Sequence, residues 1–214
     1  FKQKTAYEIR LSLVGSEMCI RDRLKKDPSG LSCQDDIDWC MVNHPATKAV
    51  LTLLGKCKTP GYSVRSITCQ SAGGKGGGYF NCVQRGIVIR DNNQSRTSIC
   101  ETLAHELSHA VDDCENGGDC SFFTGTDHSM CSRLACSELR AYNRSGQCCR
   151  GGNRRQGNET YCRCLIRQSR LSMDSTMPGL CGTNPDAMIE RQWAKCFDPT
   201  ESRCYSETRC IAEH

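Results

Sequence analysis

The sequence is poor in the aromatic residues that usually fill a protein core. Only 6% of its 214 residues are Phe, Trp or Tyr, and 37% are hydrophobic in total. Cysteine is abundant by contrast, with 19 residues, a density typical of disulfide-linked proteins. We therefore expect multiple disulfides, each contributing about 2–4 kcal/mol, in a protein that folds in an oxidising compartment.

Several features that would define a functional class are also missing. No run of about twenty apolar residues occurs, so the sequence predicts no membrane-spanning helix. No cysteine pair has the C-x2-C spacing that holds zinc ribbons. The net charge is only +4, and the densest basic cluster, Arg150, Arg154 and Arg155, contains no aromatic residue. We therefore expect no nucleic-acid partner.

The first part of the chain is unlike the rest. Residues 7–23 resemble a translated sequencing adapter. We therefore interpret residues 1–24 as an adapter-derived or otherwise non-native segment, and residues 25–214 as a single domain. Setting Cys19 aside leaves 18 of the 19 cysteines, an even number that could pair completely.

Hydrophobic periodicity and turn residues predict a fold of the α+β class. Residues 86–90 are β-branched and predict a short strand, while the glycine-rich residues 73–78 predict a flexible loop. Ser98 and Glu101 have the spacing of a helix capping box. The predicted helices span residues 37–54, 98–113, 131–143 and 185–197.

The sequence His-Glu-Leu-Ser-His at residues 105–109 is the strongest chemical signal. His-x-x-x-His on a helix places two imidazoles one turn apart on the same face, where His105 and His109 can occupy two positions of a tetrahedral zinc ion (Zn²⁺). Glu106 lies beside them and can take a proton from water as a general base. Zinc lowers the pKa of a bound water to about 7. The motif therefore predicts a zinc metallopeptidase.

The helical wheel indicates that these histidines lie outside the apolar stripe of the helix. Asp112 and Asp113 project from the same side as the histidines. Because a metal-bound imidazole usually donates its second N–H to a carboxylate or carbonyl, we expect at least one of these aspartates to accept it. The stripe on the opposite side consists of Ile99, Leu103, Leu107 and Ala110.

A catalytic zinc site needs a third protein ligand and one open position. Asp119, Asp127, His128 and Glu138 are the candidates downstream of the motif. Glu138 lies in a predicted helix and would complete a His2Glu set, which is an established arrangement for peptide hydrolysis. The residues favour Glu138 and leave His128, which follows a Gly-Thr-Asp turn, as the alternative.

Residues 98–114, SICETLAHELSHAVDDC, and 135–141, ACSELRA, resemble the mitochondrial inner-membrane zinc metallopeptidases that process and help assemble an ATP synthase subunit. The resemblance covers roughly residues 45–205. It implies a small zincin-like domain, Glu138 as an acidic residue of the site, and residence in the intermembrane space. Two departures stand out: the family commonly has histidines where this sequence has Arg133 and Leu134, and this sequence has additional cysteines.

These observations predict a zinc-dependent endopeptidase peripheral to the mitochondrial inner membrane, in the intermembrane space. Its partner would be a peptide or a membrane-protein precursor, which could pair with the strand at residues 86–90. Two alternatives remain. One is an assembly chaperone that does not need peptidase activity. The other is a secreted, cysteine-rich metallopeptidase, because Asn93, Asn143 and Asn158 have N-glycosylation patterns.

Overall fold

A computed structural model describes residues 32–71, 77–91, 94–124, 128–149, 154, 156–176, 181 and 185–201. The segment 1–24 and most of the predicted glycine loop lie outside them. In chain order the elements are α1 (Cys33–Asn43), α2 (Pro45–Gly55), β1 (Ser66–Ser71), β2 (Gly78–Asn81), β3 (Gly86–Asp91), α3 (Arg96–Glu115), α4 (His128–Ser145), α5 (Tyr161–Thr176) and α6 (Pro185–Cys196). The predicted α+β class is confirmed.

The helix predicted over residues 37–54 is in fact two helices. α1 begins with a capping box, in which the hydroxyl of Ser32 accepts the backbone N–H of Asp35 and the Asp35 carboxylate accepts that of Ser32. His44 is extended and separates α1 from α2, which starts at Pro45. Proline disfavours a helical conformation in the residue before it but fits the first turn of a helix.

The three strands form one small mixed sheet. Its order is β1-β3-β2, with β1 parallel and β2 antiparallel to β3. The predicted strand is confirmed as β3, whose Ile87 and Ile89 are fully buried. Because β3 is central, it has no free edge for another chain. The free edges belong to β1 and β2, which the sequence did not predict.

α3 is the most deeply enclosed helix of the described chain. Every residue from Ile99 to Cys114 is buried, so the helix has no solvated face. The hydroxyl of Ser95 accepts the backbone N–H of Ser98 at the start of the helix. The predicted cap at Ser98 is therefore wrong by one turn.

Two hydrophobic clusters pack on opposite sides of the junction between α3 and α4. The N-terminal core joins α1, α2, β3 and α3, and the C-terminal core joins α4, α5 and α6. Seven disulfides connect described residues; four lie within residues 33–120 and three within residues 131–196. The predicted multiple cross-links are confirmed, and each of these seven stays within one core region.

The structure also bears on membrane spanning and glycosylation. Of the helices described here, none has both the length and the apolar character needed to cross a bilayer. Asn143 is fully buried, where its side chain donates to the carbonyl of Asp198 at 2.8 Å and accepts from the Tyr161 hydroxyl at 2.7 Å. Asn143 therefore cannot accept a glycan in the folded protein, whereas Asn158 is exposed.

Candidate active site

The sequence motif lines a cavity between the two cores. The cavity has a volume of about 380 Å³. α3 and the strand β2 form one side of it, and α4, α5 and the segment after α4 form the other. His105, Glu106 and His109 reach it from α3, and Glu138 reaches it from α4.

His105, His109 and Glu138 converge closely enough to hold one metal ion. The two Nε2 atoms lie 3.1 Å apart; Oε2 of Glu138 lies 3.4 Å from Nε2 of His105, and Oε1 of Glu138 lies 3.6 Å from Nε2 of His109. A tetrahedron with metal–ligand bonds of about 2.0–2.1 Å has edges of about 3.3–3.4 Å. The spacing therefore fits three ligands of a tetrahedral zinc ion.

The surroundings of His105 and His109 lower the pKa of both imidazoles, which favours the neutral form that binds a metal. Burial lowers the pKa of His105 to about 3, and the positive charge of Arg154 is the second cause of this decrease. The side chain of Gln147 acts in the opposite direction and raises the pKa. Burial also lowers the pKa of His109 to about 4, although the Glu138 carboxylate opposes this. Both rings are therefore neutral at pH 7, and a neutral imidazole has the free electron pair that a metal requires.

A buried oxygen of the same site has no hydrogen-bond partner among the described residues. It is Oε2 of Glu138, which lies 3.4 Å from Nε2 of His105. An unpaired polar atom in the interior costs free energy comparable to a lost hydrogen bond. A metal ion between the Glu138 oxygen and the imidazoles would remove this cost for the carboxylate.

The residue that orients a histidine is a serine rather than an aspartate. Ser137 is fully buried, and its hydroxyl lies 2.7 Å from Nδ1 of His109. Donation from Nδ1–H to Ser137 leaves the Nε2 electron pair facing the cavity. The structure gives Asp112 and Asp113 other partners than predicted: Asp112 pairs with Arg140 at 2.9 Å, and Asp113 accepts the backbone N–H of Cys120 at 3.1 Å.

Ser137→Ala is expected to weaken metal binding by about tenfold to hundredfold, because the loss of an outer partner of a ligating histidine has effects of that size. Competition with a chromogenic chelator measures the change. Ser137→Thr keeps the hydroxyl and is expected to retain more of the affinity. Equal metal affinity in Ser137→Ala and the unmodified protein would contradict the role of Ser137 in orienting His109.

Glu106 lies between the three converging side chains and the sheet. Burial and the nearby Glu138 carboxylate raise the pKa of Glu106 to about 8, while the backbone N–H of Phe80 in β2 donates to it and opposes the rise. A bound cation would also oppose the rise, since positive charge favours the ionised carboxylate. The carboxylate is thus held against a strand edge with a pKa suited to proton transfer near neutral pH.

Of the other candidate ligands, Asp119 is the one whose side chain the structure describes. Asp119 is exposed, and its carboxylate accepts the backbone N–H of Ser121. His128 is the first residue of α4, and its side chain and Asp127 lie outside the described residues. Arg133 donates to backbone carbonyls near the start of α4, and Leu134 lines the cavity, so neither supplies a histidine-like ligand.

Sequence reasoning missed four residues that line or support this site. Ser137 is one. Tyr142 packs its ring on His105, with centroids 4.4 Å apart, and its hydroxyl lies 2.9 Å from that of Ser172. Gln147 and Arg154 line the cavity beside them. A periodicity argument could have found Tyr142, which lies four residues after Glu138 and so on the same helix face.

The site has the side chains typical of metal-dependent peptidases. These are two histidines one helical turn apart, a carboxylate from a second helix, and the glutamate that follows the first histidine. Comparison with known proteins agrees with this class. The profile of the Peptidase M76 family matches residues 31–202, and the chain belongs to that family.

Curated relatives of the chain are named as mitochondrial inner membrane proteases. The human "Mitochondrial inner membrane protease ATP23 homolog" is 36% identical over 121 residues, which are 56% of this chain and 46% of the human protein. The Danio rerio homolog is 34% identical over 120 residues, or 54% of this chain and 43% of its own length. The Saccharomyces cerevisiae protein "Mitochondrial inner membrane protease ATP23" is 26% identical over 196 residues, which are 86% of this chain and 78% of the length of that protein.

The extent of these matches differs between vertebrate and fungal relatives. The chain spans about half the length of the vertebrate proteins that it matches. No solved structure matches the chain.

Proposed function

We propose that this protein is a zinc-dependent endopeptidase, with His105, His109 and Glu138 as metal ligands and Glu106 as the general base. The observation that carries the proposal is the convergence of His105, His109 and Glu138 beside the buried Glu106: one ligand atom from each lies within 4.8 Å of the others, and the two Nε2 atoms are 3.1 Å apart. Membership of a peptidase family supports the reaction class.

Glu106 accepts the proton of the attacking water and passes it to the leaving amine. Its raised pKa favours both steps, because a base with a pKa near the working pH accepts and releases a proton with little cost. Zinc, when bound, supplies a Lewis acid that polarises the peptide carbonyl and activates water. The backbone N–H of Phe80 holds the Glu106 carboxylate at the cavity wall.

We infer that the substrate pairs in extended form with the edge of β2. The N–H of Arg90 donates to the carbonyl of Gly77, so residue 77 faces β3, and alternation turns the backbone polar groups of Gly78 and Phe80 away from β3. Because the N–H of Phe80 donates to Glu106, the substrate would pair with the other groups of this edge. This edge lines the same cavity as Glu106. Pairing with β2 replaces the predicted pairing with β3, whose two sides are already occupied by β1 and β2.

Close packing keeps the β2 edge against the catalytic helix. A Cβ at Gly78 would lie 2.8 Å from the backbone oxygen of Val88 and 3.2 Å from the side chain of Thr102, which precedes Glu106 by one turn. Only glycine leaves room for this approach. Gly78, at the end of the glycine-rich stretch, therefore places the substrate-binding edge.

The proposed location is the intermembrane space, at the periphery of the mitochondrial inner membrane. The names of the relatives supply the organelle and the membrane. The seven disulfides require an oxidising compartment, which supports the intermembrane space. Its substrate would be a membrane-protein precursor, and assistance with ATP synthase assembly is part of the same proposal.

Removal of metal tests the reaction class. The purified protein, with its disulfides intact, is incubated with a mixture of synthetic peptides, and new termini are identified by mass spectrometry. Cleavage is expected to stop after dialysis against 1,10-phenanthroline and to return with stoichiometric Zn²⁺ but not with Mg²⁺, because nitrogen ligands bind zinc in preference to magnesium. Cleavage that persists in protein free of metal would disprove the proposal.

A further inference from the structure

The side of the cavity that faces away from β2 is polar and carries one permanent positive charge. Ser172, Ser175 and Thr176 of α5 line it, together with Gln147 and Arg154. Among the described residues that line the cavity, Arg154 is the only lysine or arginine. The acids Glu106 and Glu138 line the same cavity, so Arg154 is the described lysine or arginine there that could attract an anion.

The backbone of Arg154 is fixed by hydrogen bonds on both sides. Its N–H donates to the carbonyl of Gln147 at 3.0 Å, and its own carbonyl accepts from Nη2 of Arg167 at 2.8 Å. Arg167 is in turn held by the Glu159 carboxylate through two hydrogen bonds of 2.7 and 2.8 Å. Arg154 therefore lies at the cavity in a defined position, although it is outside any helix or strand.

The side chain of Arg154 differs from those of the other arginines near the site. Arg140, Arg144 and Arg167 each form an ion pair with a carboxylate. Nε of Arg154 is buried and has no hydrogen-bond partner among the described residues. A guanidinium group that is partly removed from water and has no anion leaves a desolvation cost uncompensated.

The guanidinium group lies within electrostatic reach of the reaction centre. After burial itself, the charge of Arg154 has the largest influence in lowering the pKa of His105. The same charge opposes the rise that burial causes in the pKa of Tyr142, whose ring packs on His105. Arg154, His105 and Glu106 line the same cavity, so an anion bound by Arg154 would lie in the cavity that contains the reacting groups.

We propose that Arg154 binds a carboxylate of the peptide substrate and makes the enzyme selective for an acidic group close to the cleaved bond. This inference rests on the proposed peptidase function. Guanidinium groups form short, charge-assisted and often bidentate hydrogen bonds with carboxylates. The carboxylate comes either from an Asp or Glu side chain or from the C-terminus of the substrate, and both would present the same chemistry to Arg154.

Isosteric peptides test this selectivity. Internally quenched octapeptides carry Glu, Gln or Lys at each position around the cleaved bond, and each is made with a free and an amidated C-terminus. The unmodified protein is expected to prefer Glu over Gln at one position by about tenfold to hundredfold in kcat/KM, as for a charge-assisted hydrogen bond. Preference for the free C-terminus instead would identify the terminal carboxylate as the source.

Arg154 variants connect the preference to this residue. Arg154→Gln is expected to abolish the preference for the carboxylate by lowering kcat/KM for the Glu peptide to that for the Gln peptide, and Arg154→Glu is expected to favour Lys peptides. Arg163→Gln is the matched control, because Arg163 is exposed on α5 and is not among the cavity-lining residues. It is expected to keep the preference of the unmodified protein.

A binding measurement separates selectivity from catalysis. Fluorescence anisotropy of labelled Glu and Gln peptides with the Glu106→Gln protein should show the same preference, and Arg154→Gln should remove it. Equal kcat/KM for Glu and Gln peptides in the unmodified protein would overturn the proposal. So would a uniform loss of kcat for every peptide in Arg154→Gln, which would instead indicate stabilisation of the transition state. The absence of any peptide cleavage would count against the proposed function itself.

Discussion

Replacement of Glu106 by glutamine is expected to reduce peptide cleavage by about a hundredfold to ten-thousandfold, the usual contribution of a general acid–base residue. Glutamine has nearly the same shape as glutamate but cannot accept the proton of the attacking water. Initial rates with an internally quenched peptide, measured beside the unmodified protein, give the size of the loss.

The structure predicts that this loss occurs without loss of metal or of fold. Glu106 is not one of the three converging ligand residues, and its amide can still accept the N–H of Phe80 through its oxygen. Metal content and thermal unfolding should therefore match those of the unmodified protein. Glu115→Gln is the control, because Glu115 is an exposed residue at the end of the same helix. Cleavage by Glu106→Gln at the normal rate would remove Glu106 from the mechanism.

The same variant distinguishes a peptidase from an assembly chaperone. If the only role is cleavage, cells that carry Glu106→Gln should accumulate an uncleaved precursor and fail in any process that depends on its maturation. If complexes assemble normally while the precursor stays uncleaved, the protein has both roles. If the precursor is still processed, this protein is not the enzyme for that step.

Replacement of Glu138 by alanine is expected to release the metal. Even an outer partner of a ligand contributes about tenfold to hundredfold to metal affinity, so removal of a ligand should weaken binding by more than about a hundredfold. Glu138 is also 4% exposed and lies 3.4 and 3.6 Å from the two imidazoles. Elemental analysis after gel filtration, beside His105→Ala as a reference, measures the bound metal.

His128→Ala is the matched comparison for the third ligand. His128 begins α4, whereas Glu138 lies nearly three turns further along the same helix and faces α3. The proposed site predicts full metal content in His128→Ala and little in Glu138→Ala. The opposite result would show that His128, and not Glu138, completes the site.

The sequence was sufficient wherever a local pattern carries the information. The core of α3 and the ends of α6 were predicted within a few residues, because helix periodicity and a starting proline are visible over short windows. The cap of α3 was misplaced because Ser95 and Ser98 both precede the apolar stripe. α5 was missed because its sequence is largely polar, although Gln168 and Ser169 are buried in the folded protein.

The short strands show the limit of this reasoning. β1 and β2 have six and four residues, and neither has the β-branched run that identifies β3. They are strands because β3 pairs with them on both sides. The prediction that a substrate pairs with β3 was therefore wrong. β3 has the strongest sequence signal, but it is the central strand and has no free edge.

By itself, the sequence determined the chemistry of α3. With 3.6 residues per turn, the spacing of His105 and His109 places both rings on one face of any helix that contains them, and Glu106 lies beside them. The sequence favoured Glu138 as the third ligand, and the tertiary structure brings it to that face. Tertiary structure alone decided the other neighbours: Ser137 from α4, the edge of β2, and Arg154 after α4. The reason is that helix geometry acts over four residues, whereas these partners converge through the packing of two separate cores.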